Sequence, residues 1–248
     1  MRNHDIDFAA LSGRIKDILY KYVGIQTFTN TAGERLVEDF FTDHFGQIEY
    51  FQQHPDFWGL YPLENDALGR NVCWAMVRGN SAKTVVLVHH YDIVDIEDFK
   101  MLKPFAFSPD VLAKELAKHR EMLPPDAQKD LDEDTFVFCR GGCDMKAGGS
   151  IQYALLEAYS QLEDFEGNVI VIGVPDEENL SAGMRAADRL LAQLKEEYGL
   201  EYLMMINSEP HQRKDFSKGV FSEGTVGKMM PLSRRPSGLR KTIRGYNS

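Results

Sequence analysis

The sequence predicts an α/β protein built on a mostly parallel, mixed sheet with helices on both faces, and two observations carry that expectation. Continuous apolar runs suited to strands buried on both faces, Thr84–Val88 and Asn168–Val174, alternate with segments whose apolar residues recur every three or four positions. Such runs end in short polar stretches holding His90 and Asp92, Asp144, Glu177 and Glu178, or Glu209. In open sheets of this class ligands collect where strands end at their carboxyl side.

Taken in order, Phe8, Leu11, Ile15, Leu19 and Tyr22 share one helical face, and Asp5 and Asp7 suit that helix's N-terminus. A second helix is expected after Asn30–Thr31, through Leu36, Phe40 and Phe45 to a stop at Gly46. Ile48–Tyr50 and Asn71–Val77 read as strands, and the buried run Thr84–Val88 delivers His89, His90 and Asp92. From Asp95 to Thr135 the chain is charged and proline-broken, with one helix-like stretch near Asp110–Glu121, and reads as a surface excursion. A strand Thr135–Phe138, a glycine-rich loop carrying Asp144, and a helix from about Ala147 whose Ile151, Leu155 and Leu162 share a face come next. Strand Asn168–Val174, a helix through Met184, Ala187, Leu191 and Leu194, and strand Tyr202–Ile206 complete the alternation.

Composition narrows the function. With 28 Lys and Arg against 38 Asp and Glu, the net charge of −10 argues against a nucleic-acid backbone as partner. No window approaches the roughly 18 apolar residues of a membrane span, and the first residues lack an apolar signal core. The three cysteines, Cys73, Cys139 and Cys143, fit a reducing compartment, so a cytoplasmic location is expected.

Imidazole and carboxylates at one crevice suit zinc, with cobalt or manganese as alternatives, and a carboxylate can bridge two ions. His90 and Asp92, two residues apart, lie on one side of an extended chain, so Asp92 can orient and polarise a ligand imidazole. Adjacent Glu177 and Glu178 point in different directions, leaving one for metal and the other for moving a proton. Taken singly, each feature has a plainer explanation: Asp144 as a helix cap, Glu177 and Glu178 as acids at a helix start, Glu209 as a solvated loop residue. Their common placement after strands, in this order, is what favours a site.

The pieces Val88–His89–His90–Tyr91–Asp92, Arg140–Gly141–Gly142–Cys143–Asp144–Met145–Lys146, Asp176–Glu177–Glu178 and Glu209–Pro210 resemble the zinc exopeptidase and deacylase family of acetylornithine deacetylase, succinyl-diaminopimelate desuccinylase and aminoacylase. The likeness covers roughly Leu11 to Pro231. More narrowly, the long region after the histidine strand, the Cys139–Asp144 loop and Gly224–Lys228 resemble a bacterial branch associated with arginine degradation, although no residue here reads an arginine side chain. The resemblance implies hydrolysis of an amide bond in a small N-acyl amino acid or peptide. It implies that His90, Asp144 and Glu209 hold one zinc, that Asp144 bridges to a second also held by Glu178, and that Glu177 is the general base. It further implies a cis peptide bond at Asp144–Met145.

Such enzymes carry a second, smaller domain that closes over substrate and makes the dimer, then a segment with a last metal-binding histidine, and neither is found in this sequence. Residues 1–231 are therefore expected to form a partial catalytic domain, with a homodimer possible only through the missing part. After Pro231 the chain has five basic residues and no acid, so 232–248 read as an irregular tail, either non-native or a genuine basic extension. Two other readings stand beside the hydrolase. One is an inactive remnant or interaction protein of the same fold. The other is a nucleotide-phosphate site around Lys146, against which the loop lacks a Gly–Lys–Ser/Thr ending.

Overall fold

The computed structural model describes residues 6–133, 135–210 and 222. Five strands form one mixed sheet: β1 (Trp58–Pro62), β2 (Asn71–Val77), β3 (Lys83–His90), β4 (Asn168–Val174) and β5 (Glu201–Asn207). Their order across the sheet is β1-β2-β4-β3-β5. The β1, β2 and β4 half is antiparallel, whereas β4, β3 and β5 run parallel. The parallel half carries the site.

Side chains alternate along each strand, so the sheet feeds two cores. Cys73, Ala75, Val77, Leu87, Val169 and Val171 face the helices α1 (Phe8–Val23), α2 (Leu36–Gly46) and α6 (Ala147–Tyr159). Val72, Trp74, Met76, Val86, Val88, Ile170 and Ile172 face the other way, onto Ala187, Leu190, Leu191 and Leu194 of α7 (Ala182–Tyr198). With no face left for solvent, β4 is buried along its whole length, which explains its unbroken apolar run. The edge strand β5 differs: Leu203, Met204, Met205 and Ile206 remain more than two-fifths exposed.

Helix α1 starts as its sequence implies, with the Asp7 carboxylate accepting from the N–H groups of Ala9 and Ala10 at 2.9 and 3.1 Å. Three expectations are corrected. Ile48–Tyr50 is not a strand: Ile48 is the extended residue before α3 (Glu49–Gln53), and the turn brings Phe51 into edge-to-face contact with Phe45, ring centres 5.1 Å apart. So short an apolar run has no period to distinguish the two structures. Thr135–Phe138 forms no strand and pairs with none of the sheet, and Phe136 and Val137 are about two-fifths exposed. The third correction concerns α6, whose buried face carries Gly149, Gln152, Tyr153 and Leu156 while Ile151 points to solvent and Leu162 lies beyond the helix end. A β-carbon on Gly149 would stand 2.5 Å from the His89 ring, so glycine is what lets the helix approach the sheet at that point. The sequence pattern also did not reveal β1, which forms a hairpin with β2 through the turn around Asp66.

The excursion folds into helical pieces: a 3-10 segment Glu97–Phe105, α4 (Pro109–Lys118), a turn Arg120–Met122 and α5 (Pro125–Asp132). It is tied back by the Arg140 N–H to the Ala106 carbonyl at 2.8 Å and by the Tyr20 hydroxyl to Asp110 at 2.8 Å. The basic tail expected at 232–248 lies outside the described residues, as do Gly224–Lys228.

Candidate metal centre

His90 is the last residue of β3, and three carboxylates surround its ring. Its Nε2 lies 2.8 Å from Asp144 Oδ1 and 3.8 Å from Glu209 Oε1, while Nδ1 lies 3.0 Å from the Asp92 carbonyl and 3.4 Å from the Asp92 carboxylate. Burial alone would lower the pKa of this ring, but hydrogen bonds to Asp144, Asp92 and Glu209 outweigh it and raise the value to about 12. In return the His90 hydrogen bond holds the Asp144 carboxyl below its usual range.

One donor atom each from His90, Asp144 and Glu209 lies within 4.8 Å of the other two. Bonds of ~2.1 Å in a tetrahedron put donor atoms ~3.4 Å apart. The two separations from Nε2 bracket that distance. Because Nδ1 is engaged with Asp92, Nε2 is left to face the cluster, the arrangement that fixes a metal-binding imidazole. One nitrogen and two hard oxygens suit zinc, cobalt or manganese. His90 is buried, whereas the side chains of Asp144 and Glu209 are 49% and 41% exposed, so the cluster opens to solvent on one side.

The neighbouring histidine has the opposite surroundings. His89 points into the core, its Nδ1 2.8 Å from the Gln152 side-chain oxygen and its Nε2 3.1 Å from the Tyr22 hydroxyl, and burial lowers its pKa to about 4. Period-two alternation thus sends His89 to the helices as a neutral structural group and His90 to the acids.

The loop bearing Asp144 folds around Gly141, whose left-handed φ of 73° and 2.6 Å approach of its missing β-carbon to Ile93 admit no side chain. The Asp144–Met145 peptide is cis. Asp144 does not cap α6, since the residue before that helix is Lys146 and makes no side-chain cap. Lys146 is buried and donates to the Ile25 and Tyr22 carbonyls at 2.6 and 3.3 Å, anchoring the loop to the end of α1. Burial lowers its pKa to about 7. A lysine spent in this way is not aimed at a phosphate.

Asp92 acts mainly through other groups. Its carboxylate accepts the backbone N–H of Glu177 at 3.0 Å, the N–H of Glu178 at 3.1 Å and the Thr29 hydroxyl at 3.0 Å. One buried aspartate therefore sets both the imidazole and the turn carrying the two glutamates. Those glutamates do not begin a helix, because α7 starts at Ala182. Burial and then the charge of Asp144 raise the pKa of Glu178, which places its carboxylate within electrostatic reach of the cluster. The Asp144, Glu177, Glu178 and Glu209 segments all gather beside the end of β3, although Asp144 arrives on a loop and not from a strand.

Sequence reasoning missed the support of that turn. Asp176 has a left-handed φ of 68°. Glu34 accepts its N–H at 2.9 Å, and its carboxylate accepts from Arg70 at 3.0 Å, the Asn179 amide at 3.2 Å and the Ala182 N–H at 2.9 Å. Arg70 also binds Glu34 at 2.8 Å and Asp66 through two nitrogens at 2.7 and 3.0 Å. The signal was a lone Arg before a strand and a Glu in a helix start, each indistinguishable from a surface charge.

Burial raises the Cys139 thiol to about 11, and burial followed by the charges of Asp144 and Glu209 raises that of Cys143.

A family model described as peptidase family M20/M25/M40 matches residues 110–221. Protein YqjN of Bacillus subtilis (strain 168) is 33% identical over 216 residues, covering 86% of this chain and 39% of that protein. Protein RocB of the same organism is 31% identical over 224 residues, covering 88% and 39%. The chain thus spans about two-fifths of the length of these relatives. Among solved structures, human carnosine dipeptidase 1 superimposes with a TM-score of 0.50 at 16% identity, over 82% of this chain and 40% of that one, a likeness of fold.

Proposed function

We propose that the chain is the metal-binding part of a zinc-dependent hydrolase that cleaves an amide bond in a small N-acyl amino acid or peptide. The observation that carries this reading is the convergence of His90 Nε2 with the Asp144 and Glu209 carboxylates, the ring being fixed from behind by Asp92. A bound zinc would polarise the scissile carbonyl and lower the pKa of water. His90, Asp144 and Glu209 would hold it, and Asp144 with Glu178 would hold a second ion more weakly. Glu177, on the turn pinned by Asp92, takes the proton of the attacking water and gives it to the leaving amine. Asp92 keeps the His90 ring in the tautomer that presents Nε2.

Resemblance to the arginine-degradation branch favours a substrate from amino-acid breakdown. We extend the reading to a small-molecule substrate, a cytoplasmic location and dimerisation through parts of the longer protein. The inactive remnant is the second reading, favoured by the open side of the cluster, where the Asp144 and Glu209 side chains are 49% and 41% exposed.

The test is metal analysis after mild dialysis together with release of amine from an N-acyl amino acid. About one tightly held zinc per chain is expected, lost in His90→Ala and retained in Glu178→Ala. Tight zinc binding that survives His90→Ala would refute the site. Tight zinc without turnover, in a protein lengthened to match its relatives, would favour the remnant.

A further inference from the structure

Beside the loop that carries Asp144, the excursion lines an open cavity of about 510 Å³. Leu112 and Leu116 of α4, Met122 and Leu123 beyond it, and Val137 and Phe138 give it an apolar wall. The wall also includes Cys143, next in sequence to Asp144, so the cavity and the cluster share one loop. Charged groups at this wall are already engaged or face water. Arg140 pairs with Asp98 and lies over the Phe99 ring at 5.1 Å, and Lys100 is exposed. An apolar cavity of this size falls within the range of small-molecule sites.

We propose that this cavity receives the aliphatic acyl chain of the amide substrate, with the carbonyl end towards Asp144 and the far methyl towards Met122. The inference rests on the amide hydrolase reading and adds the substrate's apolar half to it. The acyl chain is the part that fits, because the amino-acid half carries a carboxylate, for which an apolar wall offers no compensation. Each methylene moved from water into the cavity should tighten binding roughly fourfold.

The experiment titrates the protein with N-acetylglycine, N-butyrylglycine and N-hexanoylglycine by ligand-observed NMR, metal-free and loaded with cobalt. Affinity should rise with acyl length in both forms. Met122→Glu and Val137→Glu, at positions 81% and 41% exposed and so tolerant of substitution, should abolish the dependence on length while leaving cobalt binding intact. In the cobalt form, paramagnetic relaxation should be stronger at the methylene next to the carbonyl than at the terminal methyl. Affinity independent of acyl length, a dependence unchanged by both variants, or relaxation stronger at the methyl would overturn the inference. If cobalt does not bind but the length dependence and its loss in the variants persist, the hydrolase reading fails and an acyl-binding cavity remains. If cobalt binds and the length dependence is absent, the cavity inference alone fails.

Discussion

Replacing Arg70 by Met should destabilise the protein by about 3–5 kcal/mol, because it leaves buried carboxylates without their counter-charge. The arginine is 5% exposed and serves Glu34, Asp66 and Asp176, the first of them fully buried. Each lost charge-assisted hydrogen bond is worth ~1.5–3 kcal/mol, but the three losses do not add, because water and protonation relieve part of the cost. Arg70→Lys should fall between the two, since an ammonium cannot reproduce the fork that meets Asp66 through two nitrogens. The cost should also depend on pH. Burial and then the Asp92 charge already raise the Glu34 pKa to about 7 with Arg70 in place, and removing the arginine raises it further. Glu34 can then protonate near pH 6, so the variant should lose less at pH 6 than at pH 8. Urea denaturation at both values measures this. A loss under about 1 kcal/mol at pH 8, within the range of an exposed ion pair, would refute the view that Arg70 holds a desolvated cluster. Zinc analysis of the same variant should show weakened retention of the second ion, because Asp176 fixes the turn that carries Glu178.

Further outcomes follow from the same geometry. In the native chain Glu34 binds a proton more tightly when folded than when unfolded, so its contribution to stability is complete below about pH 4 and lost as the pH rises through about 7. Glu34→Gln should flatten that part of a stability–pH curve. The carboxylates around His90 raise its pKa, so zinc competes with a proton for the ring. Apparent zinc affinity should therefore rise with pH between 6 and 7, checked by calorimetry in buffers of different ionisation enthalpy. Gly149→Ala, which drives a methyl to 2.5 Å from the His89 ring, should cost about 1–3 kcal/mol in thermal or urea denaturation.

The sequence by itself determined the elements with a long period and a uniform environment. Strand β4 was legible to the residue because both its faces are buried, and α1 because Asp7 caps an amphipathic run. The candidate ligands were legible as residues because polar groups at the ends of apolar runs are conspicuous, and Asp144, Glu177, Glu178 and Glu209 each follow one. Tertiary structure supplied the strand register that turns His90, already singled out by the resemblance, to the acids and His89 to the core. It also decided that Thr135–Phe138 stays out of the sheet, that α6 approaches His89 closely at Gly149, and that Glu34, Arg70 and Asp176 meet. Those outcomes depend on contacts between residues far apart in the chain, and local pattern carries no record of a partner 36 or 106 positions away.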